Sequence, residues 1–433
     1  MSSQGLTMQT RLVRAPTCST IPGMRRAGCS LRHADSATQA ARRPSPNEAR
    51  SASTKLLWPL LTVVVTLVTT ACSSGGPAVP SAGQGSTAST SAGASADRAT
   101  PSTGAGRSQD QPAPASVEVS AVGDVIMGAT PELPPDDGRH LFDAVADQLT
   151  GDVVLGNLDQ ALTDIATSTK CGANSSDCFA FRTPPSYAGW LREAGFTVIN
   201  LANNHSHDFG DAGLRDSQAA LTAAGLQYTG MPGQVTLQDV GSLRVAILGF
   251  APYGWAQSLL DIPAAQQLVG RAAEQADVVL VTIHAGAEGA DQGHVRPGPE
   301  IFLGENRGDA IAFAHAVIDA GADAVLGAGP HVLRGMEWYR GRLIAYSMGN
   351  FTGYRTLSND GPAGIGGIVT LRLAADGTWH SGQLVSTVMV DPGLAQLDPA
   401  QQALGVVRDL SRADFGACGV DLTTTGELSA PTC

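Results

Sequence analysis

Asparagine, histidine and aspartate are concentrated in the stretch NLANNHSHDFGDAG, residues 200–213, at the end of an apolar run. Amide oxygens, carboxylates and imidazoles are the groups that bind divalent cations or move protons in hydrolytic sites. A solvated loop could hold the same residues, because Asn203 and Asn204 could simply cap a helix that begins at Asp211. The stretch alone therefore leaves two interpretations open, a metal site and a helix cap.

Residues with the same chemistry follow other apolar runs of the chain. For each one taken singly, a structural interpretation is sufficient: Asp124 could form a turn or cap a helix, and His284 could be a hydrogen-bonded, partly buried side chain. Supplied together from separate strand ends, they are what a binuclear hydrolytic site requires. The recurring residues are Asp124, Asn157, Asp159, Asn204, His205, His284, Glu288, His331 and Asn350.

The runs that carry these residues alternate with stretches of helical periodicity, which predicts an α/β domain with strands buried between helices. Ligands in such sheets collect beyond the carboxyl ends of the strands, so the polar residues are expected on one rim. The predicted strands lie at 117–122, 152–157, 196–202, 244–250, 277–284, 322–327, 343–347 and 366–373. The predicted helices lie within 184–195, 211–225 and 307–321, and each stretch ends at a glycine.

The first 115 residues differ in composition from the rest. Residues 56–71 are apolar or Thr and precede Cys72, as in a signal peptide whose Cys is lipidated. An uncleaved anchor or ordinary secretion is the alternative, and the long leader suggests a start codon downstream of Met1. Residues 73–115 are rich in Ser, Gly, Ala and Pro, which predicts a flexible tether. The body is therefore expected outside the cytoplasm.

Charge and cysteine content agree with that compartment. Of the formal net charge of −12, residues 1–55 contribute +7 and the remainder −19, which argues against a nucleic-acid partner. Four cysteines in the exported body allow three pairings. A local Cys171–Cys178 disulfide is favoured by the short polar loop between them, which leaves Cys418 with Cys433. A zinc site is the alternative, but C-x₂-C spacing is absent.

Five segments in order resemble the motifs of the CapA family, which is associated with poly-γ-glutamate capsule synthesis. They are SAVGDVIMG, LGNLDQALTD, the segment from CFAFRTPP to NNHSHDFGDAG, VTIHAGAE, and GADAVLGAGPHVLRGMEWYRGRLIAYSMGNF. The resemblance spans 117–373. It implies a layered metallophosphatase-like sandwich of mixed β-sheets flanked by helices, within four regions: leader 1–72, tether 73–115, domain 116–375 and C-terminal extension 376–433.

The resemblance also implies roles for individual residues. A divalent metal (Mn, Zn, Fe or Mg) would be bound by Asp124, Asp159, Asn204, His284 and His331. His205, with Asp124 and Asn204, would carry catalysis as acid or charge stabiliser. Asn157, Glu288 and Asn350 would contact the substrate or support the site.

The sequence departs from the motifs of this resemblance in two segments. Ile126 stands in place of a His, and Ala328 and Gly329 occupy the positions where a further His usually precedes His331. Loss of a ligand lowers metal affinity, so one cation, or none, is an alternative to two. Nearby His207, Asp208 or His294 could replace the missing imidazole, and His207 is the first choice.

Two functions follow from these expectations. The first is a lipid-anchored enzyme on the outer face of the membrane, a metal-dependent hydrolase or transferase acting on an anionic cell-surface polymer or its precursor. The second is a non-catalytic component that binds or exports the polymer through a degenerate metal site. Either function would place the protein beside partners in a capsule-synthesis complex, attached to the membrane through Cys72 or secreted.

Overall fold

A computed structural model of the chain describes residues 115–168, 170–171 and 178–433. The predicted leader with Cys72, and the predicted tether except its last residue, lie outside these residues. Within them, no helix combines the length and apolarity that crossing a membrane would demand. The five α-helices are α1 (Ala188–Glu193), α2 (Gly210–Ala223), α3 (Ile262–Ala273), α4 (Ala310–Asp319) and α5 (Gln402–Phe415).

The strands form two large mixed sheets. The first has the order β18-β17-β16-β1-β2-β5-β6, with β15 also paired to β1, and the second has the order β13-β14-β12-β9-β8-β7. Their bounds are β1 (Ser116–Ile126), β2 (Val153–Leu158), β3 (Ala161–Leu162), β4 (Arg182–Thr183), β5 (Val198–Asn200), β6 (Gln227–Thr229), β7 (Thr236–Val240), β8 (Leu243–Phe250), β9 (Val278–His284), β10 (Ile301–Phe302), β11 (Glu305–Asn306), β12 (Ala324–Ala328), β13 (Met336–Tyr339), β14 (Arg342–Ala345), β15 (Asn350–Gly353), β16 (Ile365–Ala374), β17 (Trp379–Val390) and β18 (Leu394–Leu397).

The two sheets face each other across one apolar core. Val119 and Leu155 of the first sheet and Ile247 and Leu280 of the second are fully buried members of the same cluster. A second cluster packs α1 and α2 against the outer face of the first sheet, and a third packs α3 and α4 against the second sheet. The structure therefore confirms the predicted layered α/β sandwich of mixed sheets flanked by helices.

Residues 376–433, predicted as a C-terminal extension, are continuous with this sandwich. β17 pairs antiparallel with β16 along nearly its whole length, and Val407 of α5 lies in the core between the sheets. Disulfides join Cys418 to Cys433 and Cys171 to Cys178, the two pairs that the sequence favoured. The boundary at residue 375 thus divides one compact unit rather than two.

Candidate metal centre

Strand register in the first sheet aligns the predicted polar residues in one row. Asp124 of β1 is paired with Asn157 of β2 on one side and with Asn350 of β15 on the other, and Asn157 is paired with Asn200 of β5. Parallel strands end at the same edge of a sheet, so their polar ends converge there. The same edge receives His284 from β9 and His331 from the loop after β12.

A close backbone crossing lets β1 deliver Asp124 to this edge. The Asp124 amide donates to the Gly349 carbonyl at 3.1 Å. A Cβ at the preceding Gly123 would lie 1.8 Å from that same oxygen, so only glycine fits there. The pairing register shifts beside Asp124 as a result of this irregularity, which turns the carboxylate into the interior.

Asp124, Asp159 and His331 bring their ligand atoms within 4.8 Å of one another. His331 Nδ1 lies 3.1 Å from Asp124 Oδ2, and His331 Nε2 lies 3.9 Å from Asp159 Oδ2 and 3.7 Å from Glu288 Oε2. Atoms that share one divalent cation lie about 3–4 Å apart, because each metal–ligand bond is about 2.1 Å. The group has the spacing of a cation site.

Unpartnered buried atoms test whether a cation suits this group. Asp159 is 0% exposed, and neither of its carboxylate oxygens has a hydrogen-bond partner among the described residues. The Oδ1 atom of Asn204 is also buried and without a partner there. A buried unpaired carboxylate is costly unless a positive charge balances it, so the residues present fit a divalent cation. We call Asp124, Asp159, Asn204 and His331 the open cluster.

His331 is held in an unusual conformation at the centre of the open cluster. Its φ of 60° lies in the left-handed region, which is uncommon for residues other than glycine and recurs at functional sites. Its Nδ1 lies 2.9 Å from Asn350 Oδ1, an acceptor that leaves Nε2 facing Asp159 and Glu288. An imidazole fixed through one nitrogen presents the other to a metal.

The charges in the cluster shift one another's pKa in opposite directions. Burial lowers the pKa of His331, but the charge of Asp124, the hydrogen bond to it and the charge of Glu288 outweigh burial and raise it to about 10. Burial raises the pKa of Asp124, but the charge of His331 and the hydrogen bonds to both histidines hold it well below its usual range. Asp124 therefore remains ionised, and His331 holds its proton more tightly than a free imidazole does.

His284 lies on the same rim but has different surroundings. Its Nδ1 is 3.1 Å from Asn157 Nδ2, and its Nε2 is 3.3 Å from an Nη atom of Arg307. The Asn157 amide has a fixed orientation, since its nitrogen also donates to Asp124 at 2.7 Å and its oxygen accepts from Asn200 at 2.8 Å. Arg307 also forms an ion pair with Glu288 at 2.8 Å. We call His284, Glu288 and Arg307 the paired cluster.

A cleft of about 470 Å³ opens onto both clusters through Asn204, Glu288 and Arg307. His205 lines it, and its Nδ1 donates to Asp208 Oδ2 at 2.7 Å. Lys170 Nζ is 3.2 Å from that same Nδ1, but it already donates to Asn204 O and Asp208 Oδ1, so the shorter Asp208 contact defines the proton position. His205 is thereby oriented with Nε2 as its remaining nitrogen.

The structure does not bring His207 or His294 to the site. His207 Nε2 is bound to Asp211 at 2.7 Å and its ring stacks on Trp255, while His294 is bound to Asp414 at 2.7 Å. The hypothesis that His207 replaces a missing imidazole is therefore wrong. A side chain at Gly329 would be strained, because φ is 112° and an added Cβ would lie 3.0 Å from the Ala285 nitrogen.

Three functional residues escaped the sequence analysis in whole or in part. Asp208 was considered as a replacement for a missing imidazole, yet it accepts the hydrogen bond from His205, and Lys170 lies in a polar loop with no motif. Arg307 fell inside a predicted helix, but α4 begins only at Ala310, after the Asp309 cap that accepts from Ala312 N at 2.9 Å. An aspartate three residues after a histidine, as in HSHD, was the one available signal.

Comparison with known proteins identifies the family of this chain. A family model described as "Bacterial capsule synthesis protein PGA_cap" matches residues 118–354, which include both clusters and every strand that contributes to them. The chain belongs to this family. The predicted resemblance to CapA proteins is thereby confirmed.

Two relatives of this PGA_cap member are CapA proteins of Bacillus. It is 34% identical over 181 residues to the capsule biosynthesis protein CapA of Bacillus anthracis, covering 37% of this chain and 41% of that protein. It is 28% identical over 255 residues to the PGA biosynthesis protein CapA of Bacillus subtilis, covering 54% and 63%. The chain thus spans less than two thirds of each relative.

Among solved structures, the PGA_cap member is similar to a 5'-nucleotidase precursor from Thermus thermophilus, with 13% identity and a TM-score of 0.36. That similarity covers 69% of this chain and 59% of the other.

Proposed function

We propose that this chain acts in the synthesis or processing of an anionic cell-surface polymer of the poly-γ-glutamate type. Its activity would be that of a cation-dependent hydrolase or transferase on a phosphate or acyl bond of the polymer or its precursor. Membership of the PGA_cap family supports the capsule context, as do the names of the two Bacillus relatives.

The observation that carries the proposal is the Asp159 carboxylate, fully buried and without a partner among the described residues. Asp124, Asp159 and His331 would hold a divalent cation, and the buried Asn204 Oδ1, which has no hydrogen-bond partner among the described residues, would be a further oxygen ligand. When bound, such a cation polarises a phosphoryl or carbonyl oxygen and promotes attack by water. A purely structural cluster would have no reason to leave this carboxylate unpaired.

His205 supplies the proton-transfer group. Because Asp208 accepts the Nδ1 proton, Nε2 is the atom that can take a proton from a nucleophile or return it to a leaving group. Phe181 packs against the ring at a centroid distance of 4.6 Å and fixes its plane. His205 is buried except where it lines the cleft. Its Nε2 would therefore exchange a proton with a substrate bound in the cleft.

The lining of the cleft suits an anionic chain. Lys170 and Arg307 contribute positive charge to its lining beside the carboxylates of Glu288 and Glu305, and Tyr253 and Trp255 form a stacked aromatic wall with ring centroids 5.0 Å apart. The body is otherwise acidic, which repels a polyanion from most of its surface. Binding is therefore directed to the cleft, where cationic groups are available.

We also propose that the domain works on the outer face of the membrane. The apolar run before Cys72 and the tether after it support attachment through a lipidated Cys72, with secretion as the alternative. Two disulfides in the body agree with an oxidising compartment. Partner proteins of a capsule-synthesis complex would meet the domain there.

A second candidate is a non-catalytic component that binds the polymer. The contact between Arg307 and His284 favours it, because an imidazole that faces a guanidinium is not free to bind a cation. Under this alternative the open cluster would bridge polymer carboxylates through its cation without cleaving a bond.

The test uses the full chain in detergent, with Mn²⁺ or with EDTA. Poly-γ-glutamate cleavage is followed by new amino termini, and phosphodiester cleavage by a chromogenic diester. We expect Mn²⁺-dependent turnover that falls at least about 100-fold in Asp159→Asn and His205→Gln. Exposed controls Asp164→Asn and His140→Gln should match wild type. No turnover with Mn²⁺, Zn²⁺ or Mg²⁺ would sink the enzyme, and cation-dependent polymer binding without turnover would support the second candidate.

A further inference from the structure

Arg307 is a buried cation beside the candidate metal centre, and no sequence motif predicts it. Its side chain is 1% exposed, with one Nη atom at 2.8 Å from Glu288 and the other at 3.3 Å from His284. The guanidinium also lies over the rings of Tyr253 and Phe302, at 5.7 and 5.8 Å from the centroids. Its Nε is buried without a partner in the part of the chain that the structure describes.

The backbone holds Arg307 in this place. Its amide donates to Glu300 O at 2.8 Å, and its carbonyl accepts from Gly286 N at 3.0 Å. Glu300 is itself tied to the buried Arg334 by contacts of 2.7 and 2.8 Å. A side chain anchored in this way is preorganised rather than folded over the site by chance.

Both nitrogens of His284 have neighbours in the protein, and the carboxylate of Asp124 lies 3.6 Å from Nδ1. Asn157 Nδ2 lies against Nδ1, and Arg307 lies against Nε2, the atom directed toward the rim. A divalent cation on Nε2 would stand next to a permanent positive charge that has no acidic proton to release. The open cluster presents the opposite situation, with oxygens that have no hydrogen-bond partner among the described residues and with His331 Nε2 facing the carboxylates of Asp159 and Glu288 at 3.9 and 3.7 Å.

We propose that the site binds one divalent cation per chain, in the open cluster, and that the Arg307 guanidinium occupies the place beside His284 and Glu288 that a second cation would require. The inference rests on the proposed function, since it specifies the centre through which that function would work. Arg307 is a positioning residue: it fixes Glu288 at the edge of the open cluster and keeps His284 out of the ligand set.

The ligand set also specifies the class of cation. Two carboxylates, an amide oxygen and one imidazole form an oxygen-rich set without a thiolate, which suits Mn²⁺ or Mg²⁺ better than the tetrahedral nitrogen and sulfur sites that Zn²⁺ prefers. Mn²⁺ is the appropriate probe because its electron paramagnetic resonance spectrum separates single ions from coupled pairs.

The first test is Mn²⁺ binding to the full chain after removal of metals with EDTA. We expect one Mn²⁺ per chain and a six-line spectrum that shows no coupling at excess Mn²⁺. His284→Ala should still bind one Mn²⁺, with a Kd within about threefold of wild type, whereas His331→Ala should weaken binding by about 100-fold. Two coupled ions in wild type, or equal losses in both variants, would overturn the inference.

The second test removes the guanidinium. Arg307→Ala leaves His284 Nε2 and Glu288 without their partner, so a second Mn²⁺ is expected at millimolar concentration and should be lost again in Arg307→Ala/His284→Ala. Arg340→Ala, at an exposed arginine paired with Asp319, is the matched control and should bind one Mn²⁺. If Arg307→Ala folds and binds only one Mn²⁺, then Arg307 does not occupy a second cation position. If this variant does not fold, the Mn²⁺ affinities of His284→Ala and His331→Ala test the inference.

Activity measurements separate the two proposals. Turnover by a wild-type protein that holds two coupled cations would defeat the single-cation inference and leave the proposed function standing. One bound Mn²⁺ without turnover of either substrate would defeat the enzyme and uphold the inference.

Discussion

The open cluster and the paired cluster lie on the same rim, yet they satisfy their buried charges differently. In the paired cluster, Glu288 has a guanidinium at 2.8 Å, and burial, which raises its pKa, is outweighed by the charges of His331 and Arg307, which lower it. In the open cluster, both oxygens of Asp159 lack a partner within the described residues. The paired cluster therefore holds its counter-charge at hydrogen-bond distance, whereas the His331 nitrogen that faces Asp159 is 3.9 Å away and leaves the Asp159 oxygens available to a cation from solution.

Within one site, the paired cluster has its buried charges balanced by close ion pairs, whereas the open cluster has oxygens that can bind a cation. A charged pair buried within the protein is rigid and insensitive to salt or metal. An unpaired carboxylate makes stability depend on a ligand, because whatever binds only the native state stabilises it. The predictions below disturb each cluster in turn.

Removal of the internal counter-charge is expected to have the largest effect. Arg307→Met leaves the Glu288 carboxylate largely buried without its partner, so the free energy of unfolding in EDTA should fall by about 3 kcal/mol. Urea denaturation of the full chain measures it. Arg340→Met, on an exposed pair, should change it by less than about 1 kcal/mol. Equal losses in the two variants would mean that Arg307 balances no buried charge.

Removal of the Asp159 charge should abolish the stabilisation that Mn²⁺ binding provides. At a Mn²⁺ concentration about 100 times Kd, wild type should gain about 2.7 kcal/mol in its free energy of unfolding, and Asp159→Asn should gain none. In EDTA the variant should be at least as stable as wild type, since the amide removes an unpaired buried charge. Asp164→Asn should respond like wild type. A variant destabilised in EDTA would show that Asp159 is already balanced by the protein.

Most of the fold was predictable because it follows from local patterns. Continuous apolar runs identified β8, β9 and β12, and a helical pattern ending in glycine identified α2. The structure confirms the corresponding strands and helix. The sequence analysis missed α3 and α5, as well as β17, whose residues vary in burial and carry no continuous apolar run.

The site was predictable only where residues follow strands. Asp124 and Asn157 share an edge because register aligns β1 with β2, and His284, at the end of β9 in the second sheet, lies 3.1 Å from Asn157. Arg307 reaches the same edge from a loop, and its position depends on contacts with Glu288 and the Glu300 backbone that no spacing encodes. The paired cluster is formed by contacts between residues far apart in the sequence, so sequence motifs could not predict it.

Asn350 offers a smaller disturbance of the open cluster, because it acts through His331. Asn350→Ala removes the acceptor for His331 Nδ1 and should weaken Mn²⁺ binding about tenfold, equivalent to about 1.4 kcal/mol. Isothermal titration of the full chain measures the Kd. Asn350→Asp keeps an acceptor oxygen and should stay within about threefold of wild type. If both variants lose affinity equally, the hydrogen bond does not orient His331.

Asp323, which directly precedes β12, is a buried carboxylate far from the site that has partners within the protein. It accepts from Val279 N at 2.8 Å and pairs with Arg342 at 3.0 Å, yet burial outweighs these contacts and raises its pKa to about 6. Since this folded-state pKa exceeds the ordinary value of 3.8, the native state binds the proton more tightly, and Asp323 opposes folding increasingly as pH rises toward and through 6.

The pH dependence of Asp323 is accordingly the smallest expected effect. The free energy of unfolding of wild type, relative to Asp323→Asn, should be about 1 kcal/mol higher at pH 5 than at pH 7.5, as linkage requires for a raised carboxyl pKa. Urea denaturation of both proteins at the two pH values, in EDTA, gives this difference. A difference that stays constant, or increases with pH, would mean that Arg342 keeps Asp323 ionised. In that case Asp159 would be the more exceptional of the two carboxylates, and its need for an external cation the stronger.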